Sequence, residues 1–252
     1  MRGSNVCKAL SIMMTVVCAA TVAQAAVWSK SNVQFLYGQS YEKGSGESDG
    51  NIMTLEHNSG WEYGDNYFFV DFANFDRDSV NLYGEWCTRL SLFKIANKLS
   101  GSEISAGPVA DVLAVGQMDL GDGFRAYMAG VGAVFSIPYV NYFSVDVKYR
   151  DNPNADGNTY QVTPVWDIPF SIGPARFDFT GFLDWTGRED SQPVSILTQP
   201  QLLLDLGNFW GAPDRLYAGA EFQYWSEKFV FTDDGIDYAE EKCLQAIVKW
   251  VF

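Results

Sequence analysis

From residue 33 onward, apolar and polar side chains alternate with a period of two, in about twelve short runs separated by turn-forming residues. Successive side chains of a strand point to opposite faces, so each run predicts a strand with one apolar and one mixed face. The first run turns Val33, Phe35 and Tyr37 one way, and Gln34 and Leu36 the other. The second sets Met53 and Leu55 against Thr54, Glu56 and Asn58, and the third sets Phe68, Val70 and Phe72 against Tyr67, Phe69, Asp71 and Ala73. In the fourth, Val80, Leu82, Trp86 and Leu90 oppose Asn81, Tyr83, Glu85 and Arg89. Runs over residues 109–118 and 124–137 alternate weakly, and their facing stays open.

The later runs are cleaner. Phe143, Val145, Val147 and Tyr149 oppose Tyr142, Ser144, Asp146, Lys148 and Arg150. Val162, Trp166 and Ile168 oppose Gln161, Thr163 and Asp167, while Phe177, Phe179, Leu183 and Trp185 oppose Arg176, Asp178, Thr180 and Asp184. Leu202, Leu204 and Leu206 oppose Gln199, Gln201 and Asp205, and Ala218, Ala220, Phe222 and Tyr224 oppose Glu221, Gln223 and Trp225. The last run carries Leu244, Ala246, Val248, Trp250 and Phe252 on one face. A soluble sandwich keeps one face dry, where carboxylates are costly. Here one face suits lipid and the other carries Asp, Glu, Arg and Gln, which is the pattern of a membrane barrel around water. A soluble sheet with solvated charges is the alternative.

The two ends favour the barrel. Arg2 and Lys8 precede an apolar stretch from Ala9 to about Val22, and Ala23-Gln24-Ala25 supplies a small-x-small cleavage site. Residues 1–25 are therefore expected to be a signal peptide and 26–252 an outer-membrane β-barrel channel. A terminal aromatic on the final strand, Phe252 with Trp250 before it, is the signal expected by the barrel assembly machinery. The expected fold is all-β: a closed antiparallel transmembrane barrel of about 12 strands with periplasmic termini, since an even strand number returns both ends to one side.

The connections agree. Those expected outside, at residues 41–50, 76–79, 119–123, 151–158, 187–194 and 231–241, each contain at least two acidic residues. Those expected inside, such as 60–65, 138–141 and 207–215, are rich in Gly, Pro and Asn, and the longer 91–107 segment is expected to be partly helical.

Composition narrows the function. Apolar residues make up 47% of the chain, but mean hydropathy is only −0.09. After the leader no run reaches the 18 or so apolar residues of a spanning helix, which leaves strands as the membrane-crossing elements. Aromatics are 15%, as a barrel with two interfacial girdles needs. Net charge is −14, or −16 without Arg2 and Lys8, so no nucleic-acid partner is expected. Cys7 and Cys18 leave with the leader; Cys87 and Cys243 fall on strands four and twelve, which are not neighbours, and are expected to be free thiols. His57 is the single histidine and lies beside outward Met53 and Leu55, so neither a phospholipase-type Ser–His pair nor omptin-type proteolysis is expected. The reading calls for no catalytic residue, cofactor or metal.

The expected solute pathway is the inward set Tyr67, Phe69, Asp71, Tyr83, Glu85, Tyr142, Asp178, Phe182, Gln199, Gln201, Glu221 and Trp225. Aromatics can stack a flat ring, and carboxylates and amides can bond hydroxyls weakly enough for release. Ion pairing of the carboxylates with Arg89 and Arg176 is the structural alternative for them.

Several segments resemble the Tsx-like nucleoside-specific outer-membrane channels, grouped with the OmpK proteins. They are Tyr83-Gly84-Glu85-Trp86, Arg89-Leu90-Ser91-Leu92, Arg150-Asp151-Asn152-Pro153, the stretch from Gln161 to Trp166, that from Leu197 to Asp205, that from Tyr217 to Trp225, and Val248-Lys249-Trp250-Val251-Phe252. The resemblance implies a monomeric barrel in the Gram-negative outer membrane, passing nucleosides and deoxynucleosides, with some members serving as phage or colicin receptors. A surface receptor barrel and a general small-solute porin stay open beside it.

Overall fold

The computed structural model describes residues 26–42, 46–76, 80–104, 106–153, 155, 157–189, 192–232 and 235–252. The leader and its cleavage site lie outside them. The strands are β1 (Trp28–Glu42), β2 (Glu47–Trp61), β3 (Gly64–Ala73), β4 (Asn81–Ser91), β5 (Val109–Gly121), β6 (Phe124–Phe135) and β7 (Tyr142–Asp151), followed by β8 (Asn158–Ile172), β9 (Ala175–Thr186), β10 (Ser195–Thr198), β11 (Gln201–Asp205), β12 (Leu216–Thr232) and β13 (Gly235–Val251). Apart from β10 and β11, each pairs antiparallel with its sequence neighbours, and β1 closes on β13 from Asn32↔Val251 to Gly38↔Gln245. β10 and β11 both lie between β9 and β12, so they are two halves of one wall and the barrel has twelve.

The break in that wall has a local cause. Pro200 has no N–H to give the ladder, and Gly181 opposite it sits at φ 155°, where a Cβ would meet the Gln199 carbonyl oxygen at 2.8 Å. Backbone polar groups cannot be left unpaired in lipid, and closure leaves no edge.

The alternation resolves into lipid and lumen faces as expected. Phe35, Trp86, Val147, Phe179, Leu202, Leu244 and Val248 are exposed on the outside. The register threads them into rows around the wall, for example Val131↔Val147↔Val162↔Trp185. The open facing of β5 and β6 is settled too. Leu113, Val115, Gln117, Asp119, Ala126 and Met128 are buried inward, while Leu120, Tyr127 and Val131 face out. Their alternation was weak because this part of the lumen is lined by apolar or small residues; Gly130 and Gly132 leave no room for a Cβ against Val147 and Asp146.

Two expected loops, 41–50 and 231–241, are largely strand. β1 and β2 have 15 residues each and β12 and β13 have 17, against 10–13 for β3 to β7 apart from the β4–β5 helix. Beyond the lipid both faces of a hairpin meet water, so no apolar alternation marks it. Residues 92–100 form the expected helix, α1 (Leu92–Ser100): Ser91 Oγ accepts from Lys94 N at 3.0 Å, and Gly101 ends it at φ 68°. Lys98 of α1 lies 3.1 Å from Glu62 in the β2–β3 turn, and its hydrogen bond holds that carboxyl below its ordinary range. Cys87 and Cys243 are both buried and both free.

Candidate functional site

The lumen holds a cavity of about 510 Å³ walled by side chains from every strand but β6, β10 and the extracellular ends of the others. It begins at the periplasmic end, where Trp28 and Val251 line it, and runs up to Glu85 and Gln117. Of the expected pathway residues, Tyr67, Phe69, Asp71, Glu85, Tyr142, Asp178, Phe182, Gln199, Gln201 and Glu221 line it. Tyr83 and Trp225 do not. Both stand in a packed layer beyond its extracellular end: Tyr83 donates to Glu85 at 2.8 Å and faces Phe124, while Trp225 donates to Ser195 Oγ at 3.1 Å. Their parity was right. Their height was not legible from alternation.

The lining is strongly acidic. Glu56, Asp65, Asp71, Glu85, Asp146, Asp167, Asp178, Asp184 and Glu221 give nine carboxylates, against four cations, Lys30, Arg89, Lys148 and Lys249. These carboxylates are held mostly by neutral donors. Glu56 accepts from Asn32 Nδ2 at 2.7 Å and Tyr67 at 3.2 Å, and Asp71 from Thr54 at 2.5 Å. Glu221 accepts from Gln201 at 2.7 Å and Gln245 at 3.0 Å, and Glu85 from Gln117 at 2.9 Å. Gln201 also reaches Gln34 at 3.1 Å, three walls away, so the network crosses the lumen as well as following it.

The alternative, arginine pairing of the inward carboxylates, holds in part. Arg89 pairs with Asp65 at 2.7 Å and donates to the Tyr142 hydroxyl at 2.5 Å. Arg176 pairs by the periplasmic turn with Asp214 at 3.0 Å and with inward Asp205 at 3.8 Å, not with Asp178. Neither reaches Glu85 or Glu221. An acceptor surface fixed by amides and hydroxyls stays available to a passing solute in a way that a neutralised ion pair does not.

Sequence reasoning missed one pair. Ser31 Oγ and His57 Nδ1 are 2.8 Å apart, on outward positions of β1 and β2, with the imidazole stacked on Phe68 at 5.2 Å. Register alone could have found it, since Ser31 and His57 are direct cross-strand partners. Among the described residues no carboxylate bonds the ring, so nothing orients it as a general base.

Comparison with known proteins adds the family. The chain belongs to the family described as Domain of unknown function (DUF5020), which matches residues 30–250. No curated protein matches it in sequence, so the Tsx-like resemblance is carried by its motifs alone. Among solved structures the chain is similar to the NanC porin, with a TM-score of 0.54 and 10% identity over 86% of this chain and 98% of that one. It is also similar to a KdgM porin in complex with disordered oligogalacturonate, with a TM-score of 0.48 and 10% identity over 88% and 99%. The fold is thus that of an outer-membrane porin: a closed antiparallel barrel crossing with strands.

Proposed function

We propose that this protein is a passive outer-membrane channel for small neutral or cationic hydroxylated solutes, with nucleosides and deoxynucleosides as the preferred class. The observation that carries the reading is the lining: nine carboxylates to four cations, interleaved with Tyr67, Phe69, Tyr142 and Phe182. Excess fixed negative charge repels anions from a low-dielectric passage and concentrates cations, so an acidic oligosaccharide is a poor fit. A neutral nucleoside gains little from net charge. It stacks its base on a ring for about 1–3 kcal/mol and donates ribose hydroxyls to Glu56, Asp71 or Glu221. In a wet pore such bonds are weak enough to break at each step, as conduction requires.

The test is single-channel recording on purified protein in planar bilayers. Cation-preferring steps blocked by adenosine or thymidine support the reading. Open steps indifferent to both solutes reduce it to a general small-solute porin. A surface receptor barrel is the competing reading, favoured by the packed extracellular layer; permanent electrical silence with retained phage or colicin binding supports that one instead.

A further inference from the structure

Among the described residues, the cavity stops short of the outside because buried side chains fill the lumen above it. Asp119, Gln161, Gln223, Glu241 and Gln245 point inward there and none is more than 6% exposed. Above them two rings meet across the barrel. Phe124 opens β6 and Phe229 lies near the end of β12, and their centroids are 6.3 Å apart in a stacked arrangement. These strands are five walls apart one way round and seven the other, so the rings can touch only across the mouth. The reach comes from a bulge in β12 between Trp225 and Lys228, with Glu227 at φ 51°. A bulge bends a strand and sharpens its twist, which carries the end of the hairpin inward.

The contact is buttressed on both sides. Tyr83 faces Phe124 at 6.5 Å, and Trp225 meets Phe229 edge-on at 5.6 Å. Arg150 sits 5.6 Å from the Phe124 ring while pairing with Asp119 at 3.1 Å. Lys228 does the same from the other side, 5.5 Å from the Trp225 ring and 2.6 Å from Glu241. Phe124 is thus fixed directly by a cation held by a buried carboxylate, and Phe229 through Trp225, whose ring carries the second such cation.

We propose that the Phe124–Phe229 contact is the channel's extracellular gate, an apolar constriction that slows hydrated ions and solutes lacking a flat ring relative to those that carry one. The proposal rests on the chain being a channel. A hydrated ion or sugar entering between the rings loses water and breaks ring contact with nothing in return, and apolar constrictions raise the barrier to passage in this way by dewetting. A planar aromatic ring replaces the broken contact with stacking on both phenyl faces. The gate therefore selects at the entrance for the class that the lining below is suited to carry.

The experiment compares the unmodified protein with a Phe124→Ala/Phe229→Ala double variant in proteoliposomes, scoring uptake of radiolabelled ribose and adenosine and bilayer conductance. Heat-modifiable mobility confirms assembly, and Phe229→Leu alone serves if the double variant does not assemble. The expected result is that ribose uptake and ion conductance rise severalfold while adenosine uptake does not fall, so the adenosine preference collapses. If the unmodified protein passes neither solute and the variant passes both, the gate stands and the nucleoside preference fails. Ribose uptake and conductance unchanged in an assembled variant overturn the gate, whatever adenosine does.

Discussion

Replacing Phe179 by arginine places a charge in the outward row of β9, while the same strand offers an internal control one residue away. Phe179 is exposed outside the barrel and packs against Trp166 with ring centroids 5.9 Å apart. Asp178 lines the lumenal cavity. Phe179 lies two residues from the middle of the outward row Phe177 to Trp185, which puts it well within the hydrocarbon. An arginine there costs about 2–4 kcal/mol near the midplane, and losing the aromatic contact adds about 0.5–1.5 kcal/mol. The sum is about 2.5–5.5 kcal/mol, a large share of a protein's stability of roughly 5–15 kcal/mol. Asp178→Asn keeps the shape and stays beside water, so it changes stability by less than about 1 kcal/mol. The assay is urea unfolding of protein refolded into phospholipid vesicles, read by tryptophan fluorescence and heat-modifiable mobility. Comparable midpoint shifts for the two variants, or a larger one for Asp178→Asn, refute the assignment of faces and with it the barrel reading of the alternation.

Other consequences are as direct. Glu85→Gln and Glu221→Gln leave their amide partners Gln117 and Gln201 in place; the barrel assembles, cation preference in reversal-potential measurements falls, and the difference shrinks as salt shortens the Debye length. Deleting Phe252, which stacks edge-on with Trp250 at 6.5 Å, lowers the yield of folded protein in outer membranes without altering flux per assembled channel, as quantitative blotting against uptake reports. Cleavage between Ala25 and Ala26 gives a mature chain whose N-terminal sequencing starts at Ala26.

The sequence by itself determined the architecture and the faces. Side chains of a strand alternate strictly, so a lipid-facing and a water-facing set separate by parity alone, and Phe35 against Gln34 or Phe179 against Asp178 needed no coordinates. Parity failed where the lumen is lined by apolar or small residues, along Leu113–Val115 and at Gly130 and Gly132. It also failed where the hairpins of β1–β2 and β12–β13 leave the lipid and both faces meet water. Height and cross-lumen neighbours are a different kind of information. They depend on stagger, closure and bulges, which set Tyr83 and Trp225 above the cavity, match Arg89 with Tyr142 three walls away, and bring Phe124 to Phe229. These contacts join residues 53 and 105 positions apart along the chain. No local pattern encodes such separations, because the free energy that enforces them comes from closing the ring as a whole.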